Sequence, residues 1–146
     1  MSIVMSRSMR PATVSDPISF RLMRAYRLTQ YRAMGIGFHI GERAPEAIFT
    51  RTRARTATLI TAWNPWSRRR PDGCNQRMQA ALRQRLRRSA VAEGEGILNR
   101  WHEAMLLAIG DPRPPIRLAA DFRQLAVVIL HRGQKVRLRL LRAGMS

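Results

Sequence analysis

Thr56-Ala57-Thr58-Leu59-Ile60-Thr61-Ala62-Trp63 is rich in β-branched and apolar residues, and it stops at Asn64-Pro65. That pattern predicts a buried strand over 56–63 that ends in a sharp turn. Ser67 to Gly73 then reads as a basic loop, and Asp72 caps a helix running to Arg88. Along that helix Met78, Leu82 and Leu86 recur every four residues with Ala81 beside them, the stripe of a helix packed on one side. A buried strand, a polar turn and a one-sided helix are the parts of a domain that layers helices on a sheet.

Outward from this unit, the same reasoning assigns the rest of the chain. Ser15-Asp16-Pro17 is a helix start, with Ile18, Leu22 and Tyr26 at helical spacing behind it. From Tyr26 to Met34 the pattern suits helix or strand, and Tyr26 and Tyr31 both fit a strand. Gly35, Gly37 and Gly41 punctuate a short extended segment at Phe38 to Ile40. Ala44 to Arg53 reads as a short helix with Pro45 in its first turn. Ala90 to Asn99 reads as a Gly- and Glu-containing loop, Trp101 to Ile109 as a strand, and Asp111 to Pro115 as a turn launching a helix through Ile116, Ala119, Ala120 and Arg123. Leu125 to His131 is a further buried strand. Arg132-Gly133-Gln134 leads tightly into Val136 to Leu141, where Val136, Leu138 and Leu140 alternate with Arg137 and Arg139, as on an edge strand. The expectation is a flexible stretch at 1–14 and one α/β (or α+β) domain over 15–146. Its mixed sheet would have about five strands with about three to four helices and a C-terminal β-hairpin.

The composition bounds the function. The chain has 146 residues, 45% hydrophobic, enough for a real core and unlike a disordered chain. No apolar run reaches the roughly 20 residues of a membrane-spanning helix, and Met1 to Arg10 lacks the apolar region of a secretory signal. Met5 and Met9 are alternative starts. A single cysteine, Cys74, fits a reducing cytoplasm and no disulfide framework. His39, His102 and His131 are far apart and lack a ligand pattern, so neither a metal nor a cofactor is expected. The charge is unusual: 27 basic residues against 9 acidic ones leave +18. Only Lys135 among the bases is lysine. Such a field favours polyanions, namely nucleic acid, an acidic protein or an anionic surface.

Three constellations follow. Asn64, Ser67 and Asn75, with Arg68, Arg69 and Arg70, would line the end of a strand facing a helix N-terminus, a place that suits an anion or phosphate. The Asn-Pro junction also serves simply as a turn. Trp66, Arg77, Arg83, Arg87 and Arg88 form a candidate nucleic-acid surface, with arginines for phosphates and an indole for a base. No helix-turn-helix, RRM or KH signature accompanies them. Glu103, between Trp101 and an apolar run, is the candidate acid or base. It would reach the Asn64 end only if its strand runs antiparallel to 56–63; otherwise it is a structural ion-pair partner. His102 should face away from Glu103 on the same strand. Ser67 has neither a nucleophile elbow nor a nearby histidine. The leading expectation is polyanion binding. The alternatives are an enzyme or small-ligand site at the Asn64-Pro65 turn, and an interaction protein for an acidic partner.

The string Thr61-Ala62-Trp63-Asn64-Pro65-Trp66-Ser67, with Asn75 opening the next helix, resembles an uncharacterised bacterial family of small α/β proteins marked by Thr-Ala-x-Asn-Pro-x-Ser. Trp101 and Glu103, Phe122-Arg123-Gln124-Leu125-Ala126, the pair Tyr26 and Tyr31, and Phe38-His39-Ile40-Gly41 extend the likeness over residues 25–141. The chain departs from the pattern in its more basic Arg68-Arg69-Arg70 loop and in Arg123, where the pattern has glycine. The resemblance implies an α/β fold and no particular activity.

Overall fold

Strand β3 (Thr56–Ile60) is buried at all five positions, because both faces of the sheet around it are covered. In the computed structural model, which describes residues 19–141, β3 lies between β5 (Trp101–Ile109) and β6 (Ala126–His131). The full order is β2-β1-β4-β5-β3-β6-β7, with β1 Gln30–Ala33, β2 Ile36–Phe38, β4 Ala90–Leu98 and β7 Arg137–Leu140. Every neighbouring pair is antiparallel, so the sheet is α+β in style and not mixed. One face carries α1 (Phe20–Leu28) and α2 (Glu46–Thr52), which bury Leu22, Ala25, Tyr26, Ile48 and Phe49 against Ala57, Leu59, Met105 and Leu107. The other carries α3 (Asp72–Arg85) and α4 (Arg113–Asp121), which bury Leu82, Ile116 and Ala119 against Ile60, Leu106, Val127 and Ile129. Alternation along each strand sorts these two apolar sets to opposite faces.

Seven strands replace the five expected. The two added are β1 and β4. The segment 90–99, read from sequence as a loop, is the longest partner of β5, in register from Ala90↔Ile109 to Leu98↔Trp101. Its alternation hides because glycine fills two of the inward positions, 94 and 96. A Cβ on Gly94 would sit 2.8 Å from both the Arg32 carbonyl and a Leu59 methyl, and one on Gly96 would touch the Met105 sulfur at 3.4 Å. Glu93-Gly94-Glu95-Gly96 is therefore a strand whose packed face has no room for a side chain at Gly94 and lies in close contact at Gly96. The ambiguity at 26–34 also resolves: Tyr26 lies on α1, Thr29 ends that helix, and Tyr31 begins the inward face of β1. Met34 and Gly35, both at positive φ, make the tight β1–β2 turn.

Smaller differences are local. Asp72 is the first residue of α3, Pro71 is its cap, and the helix ends at Arg85. Met78, Leu82 and Leu86 face inward as expected, but Ala81 is exposed. The helix start at Ser15-Asp16-Pro17 and the stretch 1–14 lie outside the described residues. Beyond β2, residues 41–44 cross to the opposite edge of the sheet. There Gly41 N–H donates to the Val136 carbonyl at 2.9 Å, and Val136 N–H donates to the Glu42 carbonyl at 2.7 Å. The sheet thus curls until its two edge regions meet. Among the described residues no helix is long and apolar enough to cross a membrane.

Candidate functional site

The end of β3 is fixed by hydrogen bonds to β5 and α3. The Thr61 hydroxyl donates to the Ala104 carbonyl at 2.8 Å and accepts from Trp63 N–H at 3.1 Å. The Gln79 side-chain oxygen accepts from Ala62 N–H at 2.8 Å. Beyond this point the chain bends sharply. Asn64 has φ 45°, Trp66 59° and Ser67 57°, three non-glycine residues in the left-handed region within four positions. Asparagine tolerates that region, but a bulky tryptophan does so at a cost of order 1–3 kcal/mol and only when its surroundings hold it. Two contacts do so here. Trp66 N–H donates to the Arg123 carbonyl at 2.8 Å, and the half-buried Trp66 packs against the α1-side core.

Asn64 and Asn75 close the turn onto α3. Asn64 N–H donates to Asn75 Oδ1 at 2.9 Å, and Asn75 Nδ2 donates to Asn64 Oδ1 at 2.8 Å. Both side chains then grip Arg70: its N–H donates to Asn64 Oδ1 at 2.9 Å, and its carbonyl accepts from Asn75 Nδ2 at 3.3 Å. Asn64 and Asn75 are 3% and 1% exposed, so two buried bonds between them and two part-buried bonds to Arg70 close a ring of carboxamides and backbone. A carboxamide carries donor and acceptor together, which lets two residues satisfy each other with no buried charge.

The arginines lie outside this ring. Arg68, Arg69 and Arg70 on the loop, and Arg77, Arg87 and Arg88 along and just beyond α3, are exposed. None of the six forms an ion pair with a described acidic residue, whereas Arg83 pairs with Glu93 and Arg85 with Asp121. Arg83 is thus the one member of the candidate nucleic-acid surface already neutralised. Trp66, the candidate stacking residue, is occupied by the core.

Glu103 sits at the same end of the sheet on the opposite face. The antiparallel register that pairs Ile60 with Leu106 carries it to the level of the turn. It is 1% exposed and faces Tyr26 and Tyr31, both fully buried. Burial pushes both phenols above their usual range, and the Glu103 carboxylate adds to this; the Ser67 side chain beside Tyr26 works the other way. The Tyr31 hydroxyl donates to the Tyr26 carbonyl at 3.1 Å. Ser67 therefore joins the Glu103 side, while Asn64 and Asn75 join α3. His102 is exposed beside Glu95, away from Glu103. Cys74 is half-buried at the start of α3. Among the described residues no three His, Cys, Asp or Glu side chains gather as a metal would need.

The sequence points to both asparagines but not to their pairing, and it does not single out Gln79. A signal for the glutamine exists: Asn75 and Gln79 are four apart on the inward face of α3, so that face starts polar before turning apolar at Leu82 and Leu86.

Residues 60–127 match the model of a family described as protein of unknown function (DUF3293). The match runs from the end of β3 into β6, and so holds the turn, α3, Glu103 and Gln124. It supports kinship with an uncharacterised family. No curated protein and no solved structure matches the chain.

Proposed function

We propose that the protein binds a polyanion, nucleic acid foremost, through the surface formed by the 68–70 loop and the outer face of α3. The observation that carries this reading is the set of six exposed arginines, Arg68, Arg69, Arg70, Arg77, Arg87 and Arg88, without an acidic partner among the described residues. The net charge of +18 supplies the long-range attraction. A guanidinium can engage phosphate with two parallel hydrogen bonds, so an arginine-only surface suits a phosphate backbone. The reading rests on phosphate contact, because Trp66 packs inward. The alternative of a small-ligand site at the turn has less support: the Asn64 and Asn75 carboxamides are spent on each other and on Arg70.

Titration of labelled RNA and DNA oligonucleotides from roughly 50 to 200 mM salt tests the proposal. Binding should weaken steeply with salt. Arg68→Ala, Arg69→Ala and Arg70→Ala together should flatten the log–log slope by about 3, near one for each phosphate no longer engaged. Absence of binding at low salt, or a slope indifferent to the three substitutions, would refute it. Capture of an acidic protein that survives nuclease would favour the acidic-partner alternative instead.

A further inference from the structure

We infer that Asn64 and Asn75 are positioning residues for the arginine loop: by holding both backbone groups of Arg70, they present Arg68, Arg69 and Arg70 in a fixed arrangement to the polyanion. The inference rests on the polyanion reading of that surface and adds to it a reason for the shape of the turn. Arg70 is tied at N–H by Asn64 and at C=O by Asn75. At the other end Arg68 N–H donates to the Pro65 carbonyl at 3.2 Å. Just upstream, Trp66 N–H donates to the Arg123 carbonyl at 2.8 Å, so the chain entering the loop is tied to the residues that lead into β6. The side chains of the three arginines stay exposed while their backbone is anchored on buried groups. A loop ordered beforehand gives up less conformational entropy on binding, so the anchoring raises affinity while the set of phosphate-binding groups stays the same.

Charge and order separate in one experiment. The slope of affinity against salt counts the phosphates engaged, whereas the affinity at any one salt also reflects how much the loop must be ordered. Asn75→Ala keeps every arginine and releases the anchor. Asn64→Gly does the same while keeping a residue that adopts positive φ without strain, so it guards against a turn that simply misfolds. With a labelled oligonucleotide and the full chain, each variant should lower affinity about tenfold, with the salt slope unchanged. In the background lacking Arg68, Arg69 and Arg70, the same asparagine substitutions should cost nothing more. A merely structural role would weaken binding equally in both backgrounds, and that result overturns the inference. So does wild-type affinity in either asparagine variant when the arginine variant shows the flatter slope. A wild-type chain that binds no oligonucleotide would instead bring down the polyanion reading beneath it.

Discussion

At one end of the sheet, two regions bury polar groups in opposite ways. On the α3 side, Asn64 and Asn75 satisfy each other and the Arg70 backbone, with no ionisable group in the ring. On the α1 side, Glu103 lies with Tyr26 and Tyr31 in apolar surroundings, and three titratable groups share a desolvated space. The first arrangement fixes backbone independently of pH. The second ties stability to protonation, because burial favours the neutral form of a phenol.

Alkaline unfolding should reveal the difference most strongly. Both tyrosines have folded-state values raised above 10.0, chiefly by desolvation. Below that pH both phenols are neutral in folded and unfolded chain alike, and their contribution is complete. Above it the unfolded chain ionises first, and stability falls by about 1.4 kcal/mol per pH unit for each tyrosine, about 3 for the pair. Urea unfolding followed from neutral pH upward measures this slope, and Tyr26→Phe should halve it. A Tyr26→Phe variant with the wild-type slope would break the contrast.

The asparagine ring should give a smaller and flat response. Asn75→Ala removes three bonds and leaves buried partners unsatisfied, at a cost of about 2 kcal/mol that should not vary with pH. The same urea series decides it: a cost that grew with pH would couple the two regions. Smallest of all is the arginine loop. Arg69→Ala should change stability by less than about 0.5 kcal/mol, since the side chain is exposed and unpaired among the described residues. A larger drop would mean that the loop supports the fold as well as facing the solvent.

The same contrast marks what the sequence could reveal. Runs such as Leu59-Ile60 and Val127-Val128-Ile129-Leu130 announce buried strands through composition, and the Met78, Leu82, Leu86 spacing announces α3. Strand β4 does not, because glycines at 94 and 96 interrupt the apolar half of its alternation, and at Gly94 the reason lies in Arg32 and Leu59, far away in sequence. At the site, Glu103 stands out as an acid ahead of an apolar run. That its neighbours are Tyr26 and Tyr31 does not, since one meets it only when α1 docks on the sheet and the other only when β1 and β4 pair beside β5. Asn64 and Asn75 each look suited to a ligand; that they satisfy one another depends on where α3 lies, which spacing alone does not tell.

The curl of the sheet has a consequence for how copies of this chain meet. Strand β7 closes one edge, with Arg137 and Arg139 exposed along it, and the crossing residues 41–44 cover its start. Open sheet edges invite addition of another chain's strand, and aggregation follows. A neighbour adding here would bring its own Arg137 and Arg139 against these two, while the covered start offers it no free ladder. Like charges along that edge and the covered start of its ladder would therefore oppose strand addition beside the exposed Leu140.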